Sequence, residues 1–180
     1  MTFTKRFLGH LKTVHNHRKM VRKLCFKCGL YWQGLTHDLS KYHPVEFWNG
    51  VKYYTGTASP HVGERAEKGY SDAWVHHHNH NKHHGEYWQD IQPDGTTKPI
   101  PIPTKYLFEM LCDRIAASMI YLGDKYTDDA ALNYYLSHKY ENVLNNGTRN
   151  RLEYWLKRVS QSGIYKVLQE MKRQLKDERN

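Results

Sequence analysis

The chain lacks the features that mark membrane, secreted and disulfide-rich proteins. No apolar run approaches the roughly 20 residues that a helix needs to cross a bilayer. The N-terminus, from Met1 to Phe7, has neither the apolar core nor the small-residue cleavage site of a signal peptide. The three cysteines, Cys25, Cys28 and Cys112, are an odd number and poor material for a disulfide framework. We therefore expect a cytoplasmic protein with reduced thiols and no membrane partner.

Strand signals and low-complexity tracts are scarce as well. Apolar and polar residues rarely alternate with the period of two that a half-buried strand requires. Neither an internal repeat nor a domain boundary is visible. At 180 residues the chain is long enough for one domain with its own core. We predict an all-α fold, a compact single-domain helical bundle over residues 1–180.

The net charge of +9 is spread unevenly along the chain. Residues 1–28 hold eight Lys and Arg and no acid, and residues 149–180 hold nine Lys and Arg against four acids. Basic ends of this kind can attract nucleic acid or phosphorylated ligands. More often they are solvated helix faces, so both interpretations stay open.

The first predicted helix covers residues 5–28. The 3–4 spacing of its apolar stripe carries His17 inward and leaves His15 outside. Gly29 is expected to end it. Cys25 and Cys28 form a CxxC inside this helix, but no second CxxC exists to complete a zinc site. We interpret them as two small apolar residues on a helix face.

Further helices are predicted from start and stop signals. A short helix is expected to carry residues 35–39, and Pro44 occupies the first position of the next. Residues 49–70 contain four glycines and a proline, which indicates a loop, and a helix restarts near Ser71.

The later part of the chain begins with a turn at residues 93–95 and a proline-rich connector. Thr104 is a plausible N-cap for a helix to about Gly123, and that helix carries Asp113 on an otherwise core-facing stripe. A carboxylate in that position is costly unless it has a partner. Residues 128–145 and 149–176 are predicted to form the last helices.

Histidine is concentrated in one internal stretch. Residues 76–84 hold six of the 13 histidines, and a His-Asp pair lies upstream at His37-Asp38. Neutral imidazole is the commonest protein metal ligand, and mixed histidine and carboxylate sets suit Zn, Mn, Fe, Ni or Mg-type hydrolytic centres. Together with His17 and Asp113, these residues predict a metal site and metal-assisted hydrolysis. Lys41, three residues after Asp38, could hold a phosphate.

The order of these residues resembles the HD superfamily of metal-dependent phosphohydrolases. That order is a histidine on a first helix, a His-Asp doublet, further histidines and a late helical aspartate, which here reads His17, His37-Asp38, His77 with His83-His84, and Asp113. The resemblance covers roughly residues 10–120. Four segments resemble more closely an uncharacterised HD-like family of bacteria and phages: Gly34–Lys41, Ala73–His77, Asn81–Trp88 and Glu109–Arg114.

The resemblance implies an HD-type bundle with a metal-site core over about residues 10–125 and C-terminal helices over about residues 126–180. One divalent ion (Mn, Fe, Zn, Ni, Co or Mg) would be held by His17, His37, Asp38 and Asp113. A second would be held by Asp38 with His77, His83 and His84. The interval from His77 to His83 is short for a binuclear member, so the number of ions, one or two, and the choice among His76, His77, His83 and His84 stay open.

The implied function is hydrolysis of a phosphorylated small molecule, such as a nucleotide, by metal-activated water. Asp38 and Lys41 would be the catalytic residues, with Arg65, Asn81 and Arg114 as candidate substrate contacts. The alternatives are a nucleic-acid-binding module with a structural metal and a nucleotide sensor without catalysis. Six histidines cannot share one coordination sphere, so His76, His78 and His80 are expected outside it. His10 is expected in the core or behind the ligands, and the histidines expected at the surface are His15, His43, His61 and His138.

Overall fold

The computed structural model describes residues 1–137 and 143–178 and is mainly α-helical, as predicted. Its helices are α1 (Phe3–Lys27), α2 (Tyr31–Thr36), α3 (Pro44–Lys52), α4 (Pro60–Lys68), α5 (Asp72–His80), α6 (Thr104–Leu122), α7 (Ala130–Ser137), α8 (Asn146–Ser162) and α9 (Ile164–Asp177). Short 3-10 turns cover Leu39–Tyr42, Gly85–Tyr87 and Gly123–Lys125. A small antiparallel hairpin pairs β1 (Gln89–Ile91) with β2 (Thr97–Pro99) around the predicted turn at residues 93–95.

Several helix boundaries follow the predicted capping signals. Gly29 adopts a left-handed conformation with φ of 84° just after α1, where a side chain would be strained. Pro44 is the first residue of α3. Ser71 precedes α5, and its hydroxyl accepts a hydrogen bond from the backbone N–H of Trp74 at 3.0 Å. These boundaries were therefore readable from the sequence.

The predicted loop over residues 49–70 is wrong, because α3 continues to Lys52 and α4 occupies Pro60–Lys68. Gly50 lies within α3, and the His10 imidazole packs directly against its backbone. The glycine is therefore explained by this close approach rather than by a turn. The single helix predicted over residues 149–176 is also wrong. Gly163, with φ of 79°, separates α8 from α9.

Two further boundaries differ from the prediction. The helix expected over residues 35–39 ends at Thr36, because Asp38 adopts a left-handed backbone conformation with φ of 53° that does not continue a helix. Thr104 is the first helical residue of α6, and Pro103 holds the cap position. Of the helix predicted over residues 128–145, the structure describes α7; residues 138–142, which include His138, lie outside the described residues.

The core surrounds α6, which packs against α1, α2, α7, α8 and α9. Apolar side chains of α6 are fully buried, and α9 turns one continuous apolar stripe towards them; these residues are Leu107, Phe108, Leu111, Ile115, Val167, Leu168 and Met171. The free thiols of Cys25, Cys28 and Cys112 lie in the same core. This packing places the middle of α6, which carries Asp113, beside α1 and α2, which carry or precede His17 and His37.

No helix in the described part of the chain combines the length and the apolar character that a membrane span requires.

Candidate metal centre

The predicted ligand residues come from five separate segments. His17 lies in the middle of α1, and His37-Asp38 lies between α2 and the following 3-10 turn. His77 lies in α5, with His83 and His84 in the segment after it, and Asp113 lies in α6. The fold therefore brings together all seven residues that the sequence suggested as ligands.

Asp38 lies at the centre of this cluster, and its side chain is buried. Its carboxylate oxygens point to different partners. Oδ2 lies 3.8 Å from Nε2 of His17 and 3.6 Å from Nε2 of His37. Oδ1 lies 3.5 Å from Nε2 of His77 and 3.5 Å from Nε2 of His83. One carboxylate is thus shared by two groups of histidines.

The left-handed backbone of Asp38 makes this arrangement possible. Among the described residues it is the one non-glycine residue with positive φ, at 53°. Aspartate and asparagine tolerate this conformation better than most residues. The reversal lets His37 and Asp38, which are neighbours in sequence, both face the same centre.

The first half of the cluster, here called the His17 group, consists of His17, His37 and Asp113. Nε2 of His17 lies 2.8 Å from Oδ1 of Asp113, and Nε2 of His37 lies 3.6 Å from the same oxygen. The second half, the His77 group, consists of His77, His83 and His84. Nε2 of His84 lies 2.9 Å from Nε2 of His77. Each half offers three ligand atoms close enough to meet at one ion.

Three buried atoms of the cluster carry the strongest sign of a cation. Nε2 of His37, Oδ1 of Asp38 and Nε2 of His83 have no hydrogen-bond partner among the described residues. Buried polar atoms are nearly always satisfied, so three that converge on one space require an explanation. Two ligands that each lie about 2.1 Å from an ion are separated by about 3.0–3.4 Å. The 3.5 and 3.6 Å separations around Asp38 approach that geometry, so the cluster could hold a metal ion.

Two buried glutamates lie directly behind the histidines, and no role was predicted for either. Oε1 of Glu109 lies 2.9 Å from Nδ1 of His37 and 3.2 Å from Nδ1 of His83. Oε2 of Glu46 lies 2.8 Å from Nδ1 of His77. A carboxylate beside Nδ1 accepts a hydrogen bond from the Nδ1–H group, so that the Nε2 lone pair of the neutral ring faces the centre. The glutamates therefore aim the three imidazoles inward.

A sequence signal for Glu109 existed, since it precedes Asp113 by four residues on one helix and so shares its face. Glu46 offered no such signal. It lies in the first turn of α3, where an acid is ordinary because it complements the helix dipole.

Burial and neighbouring charges together set the pKa values of the cluster. Burial lowers the pKa of His77 and His84, and Lys41 lowers the pKa of His77 further. Both imidazoles are therefore neutral near pH 7 and keep a lone pair for a metal. Burial would raise the pKa of Asp38, but His37 and Lys41 outweigh it and hold that pKa well below its usual value. The shared carboxylate is ionised.

The predicted catalytic lysine and the three predicted substrate contacts occupy different positions. Nζ of Lys41 lies 3.6 Å from Oδ2 of Asp38, and its side chain is 30% exposed, so it reaches the centre from the surface. The guanidinium of Arg65 lies 5.7 Å above the ring of Trp74, whose own centroid is 5.0 Å from that of His84.

The remaining two candidates lie deeper in the protein. The Asn81 amide donates to the backbone oxygen of His77 at 2.7 Å and to Ser40 Oγ at 2.7 Å, which ties it to the back of the His77 group. The guanidinium of Arg114 lies 5.8 Å from the ring centroid of Tyr135, beside α7. A substrate contact stays a prediction for each of them.

The other histidines lie outside both groups. The rings of His43, His76 and His80 stack in series, with centroids 4.3 and 4.0 Å apart, and His76 also contacts Glu46. His78 is half-buried, and His15 is exposed as predicted. His10 is buried, and burial, aided by the charge of Lys41, lowers its pKa to about 4.

His61 differs from the surface position that the sequence suggested. α4 half-buries it against Trp74, with ring centroids 4.8 Å apart. Burial and the charge of Arg65 lower the pKa of His61 to about 4. The prediction missed this position because it treated the whole segment as a loop.

Comparison with known proteins gives one family match. The model of DUF5662, a family of unknown function, matches residues 6–158, and the chain belongs to this family. No curated protein and no solved structure matches it. The matched region contains every residue of the two histidine groups.

Proposed function

We propose that this member of DUF5662 is a metal-dependent phosphohydrolase that acts on a nucleotide or a similar phosphate ester. The observation that carries the proposal is the buried Asp38 carboxylate, shared between two groups of imidazoles whose Nε2 atoms converge on it. The order of these residues along the chain, which resembles that of the HD superfamily, supports the same activity.

The ligand set favours two divalent ions with Asp38 between them. The His17 group with Asp38 offers two imidazoles and two carboxylates, and the His77 group with Asp38 offers three imidazoles and one carboxylate. Imidazole-rich sets suit Fe, Zn, Ni, Co or Mn better than Mg, which prefers oxygen ligands. We expect a transition metal, with the His77 group the more selective half.

The proposed chemistry is hydrolysis at phosphorus: the oxygen of a water bonds to phosphorus, the P–O bond to the leaving group breaks, and the leaving oxygen takes up a proton as the attacking water loses one. When bound, divalent ions supply an acidified water, whose pKa falls from about 15.7 to about 7, and positive charge beside the phosphate oxygens. Asp38 orients both halves of the centre through its two oxygens. Lys41, 3.6 Å from Asp38 and partly exposed, binds a phosphate oxygen and offsets the charge that develops on it.

The surroundings of the His77 group support a small anionic substrate. Trp74 provides a partly exposed aromatic face beside His84, and Arg65 lies above that face. An aromatic face and a guanidinium suit a nucleobase and a second phosphate, respectively. We therefore assign a nucleotide as the substrate class.

The first experiment is metal content by elemental mass spectrometry on tag-free protein, followed by a turnover screen of nucleotides, cyclic nucleotides and dinucleotides. Asp38→Asn is the test variant because asparagine tolerates the left-handed backbone. Asp124→Asn, at an exposed aspartate, is the matched control. We expect one or two metal equivalents and metal-dependent turnover in wild type and control, with both lost in Asp38→Asn. Turnover that is indifferent to metal and to Asp38 would refute the proposal.

A second candidate function is nucleic-acid binding with a structural metal. α1 contains no acid and packs against α9, so the two basic ends of the sequence are in contact. Nζ of Lys27 in α1 lies 5.1 Å above the ring of Tyr165 in α9. This function predicts affinity for DNA or RNA that falls steeply with salt and survives Lys41→Ala. Absence of binding to single- and double-stranded nucleic acid at low salt would exclude it.

A nucleotide sensor is the third candidate. It predicts thermal stabilisation by a nucleotide that is recovered unchanged after incubation. Product formation by the metal-loaded protein excludes it.

A further inference from the structure

Glu109 contacts one histidine from each half of the candidate centre. It lies on α6, is 6% exposed, and directs a single oxygen, Oε1, to two imidazoles. That oxygen lies 2.9 Å from Nδ1 of His37, a member of the His17 group. It lies 3.2 Å from Nδ1 of His83, a member of the His77 group. The two rings lie against each other, with centroids 4.4 Å apart.

Glu46 provides a contrast within the same cluster. Oε2 of Glu46 lies 2.8 Å from Nδ1 of His77, which belongs to the His77 group. Its other oxygen lies 2.7 Å from Nδ1 of His76, which belongs to neither group. Glu46 therefore supports one half of the centre, whereas Glu109 supports both.

The contact with Glu109 decides which nitrogen of each ring can bind a metal. A carboxylate accepts hydrogen bonds and donates none, so both Nδ1 atoms carry the proton. In the neutral rings, which are the form that binds a metal, the Nε2 atoms of His37 and His83 then keep their lone pairs, and both point towards Asp38. Without this carboxylate, neither ring would have a partner that fixes the proton on Nδ1 or the orientation of the imidazole.

We propose that Glu109 is a positioning residue that couples the two halves of the centre, because one buried oxygen orients a ligand of each ion. This inference rests on the proposed metal centre and adds a dependence between its two sites. Removal of Glu109 weakens both binding steps, and removal of Glu46 weakens one.

Direct ligation by Glu109 is the competing interpretation, since His37, His83 and Glu109 also form a compact buried group. An ion between Oε1 and the Nδ1 atoms would leave Nε2 of His37 and of His83 without a hydrogen-bond partner among the described residues. It would also leave Oδ1 of Asp38 in the same condition. The positioning role uses all of these atoms.

The test is a titration of metal-depleted full-length protein with Co²⁺, followed by visible absorption and calorimetry. The variants are Glu109→Gln and Glu46→Gln. Glu64→Gln is the control, because Glu64 is also buried but contacts Ser71 and Lys68 rather than the histidines. Circular dichroism verifies that each variant is folded. If Glu109→Gln does not fold, Glu109→Asp replaces it, since the shorter carboxylate keeps the charge and loses the reach.

We expect two binding steps in wild type and in Glu64→Gln. Glu109→Gln should weaken both steps by about 10- to 100-fold, the usual effect of losing a partner behind a ligand, and Glu46→Gln should weaken one. The cobalt absorption bands of fully loaded Glu109→Gln should match those of wild type, because no ligand is lost. Altered bands would overturn the positioning role in favour of direct ligation.

The remaining outcomes separate this inference from the proposed function. Weakening of only one step, or of neither, in Glu109→Gln overturns the coupling and leaves the metal centre intact. A single binding step in wild type overturns it as well and leaves a mononuclear centre. Failure of wild type to bind Co²⁺ refutes the proposed centre itself, and the coupling with it.

Discussion

Nε2 of His17 lies 2.8 Å from Oδ1 of Asp113, and this contact joins the first helix to the central helix at the candidate centre. Both side chains are partly exposed, at 15% and 20%, so the pair lies at the rim of an otherwise buried cluster. An ion bound between them would tie α1 to α6. Metal binding should therefore stabilise the fold.

Metal should raise the melting temperature of the wild-type protein by more than that of Asp113→Asn, in which only the His77 group keeps all of its ligands. A ligand at 100 times its Kd stabilises the folded state by about 2.7 kcal/mol. For a protein of this length that corresponds to a rise of about 5–10 °C. Differential scanning fluorimetry of the metal-depleted proteins, with and without Mn²⁺ or Zn²⁺, measures the difference. An equal rise in Asp113→Asn would show that Asp113 is not a ligand.

Replacement of Lys41 should separate metal binding from catalysis. We expect Lys41→Met to keep wild-type metal content, because the amine contacts Asp38 but offers no lone pair to a cation. The turnover number should fall by about 100-fold, the usual cost of removing one charge that faces a developing anion. Lys125→Met, at an exposed lysine, serves as the control. Unchanged turnover in Lys41→Met would remove its role in phosphate binding.

His10 should make the folded state sensitive to mild acid. Its folded pKa is about 4, below the unfolded value of 6.5, because the ring is buried. The unfolded chain therefore takes up a proton first, and stability falls as the pH drops from 6.5 towards 4. Between pH 7 and pH 5, His10 alone should lower the free energy of unfolding by about 2 kcal/mol. Urea unfolding of wild type and His10→Gln across this range measures it.

The variant should lose stability less steeply than wild type over the same interval. His15→Gln changes an exposed histidine on the same helix and should keep the wild-type dependence. Parallel curves for wild type and His10→Gln would contradict the assignment of His10.

Gly50→Ala should destabilise the protein, although alanine usually favours a helix. A Cβ at Gly50 would overlap the His10 imidazole. Overpacking of this kind costs about 1–3 kcal/mol. Because the clash is with the His10 ring alone, Gly50→Ala should destabilise the protein less in a His10→Ala background. A double-mutant cycle measures this coupling. Equal costs in both backgrounds would show that the clash is relieved elsewhere.

Local signals in the sequence predicted much of the helical framework. The apolar stripe of the first helix directs His17 inward because side chains three and four residues apart share a face. Pro44 and Ser71 begin helices because their chemistry suits the first position and the cap. The glycines of residues 49–70 misled the prediction, because Gly50 and Gly63 accommodate the aromatic rings of His10 and Tyr53 rather than turns.

Local patterns in the sequence specify which chemical groups the chain carries: imidazoles and carboxylates at helical spacing, a lysine beside the His-Asp pair, and helix boundaries set by capping. How these groups are arranged depends on contacts between segments that lie far apart in the sequence. Two examples are the hydrogen bonds between Glu109 and His37 and between Glu46 and His77, whose partners lie far apart in the sequence. Neither helical periodicity nor a capping signal predicts such a contact. The left-handed backbone conformation of Asp38 also depends on contacts between distant segments. The packing of α1, α2 and α6 holds Asp38 in place, so that its two carboxylate oxygens face different histidines.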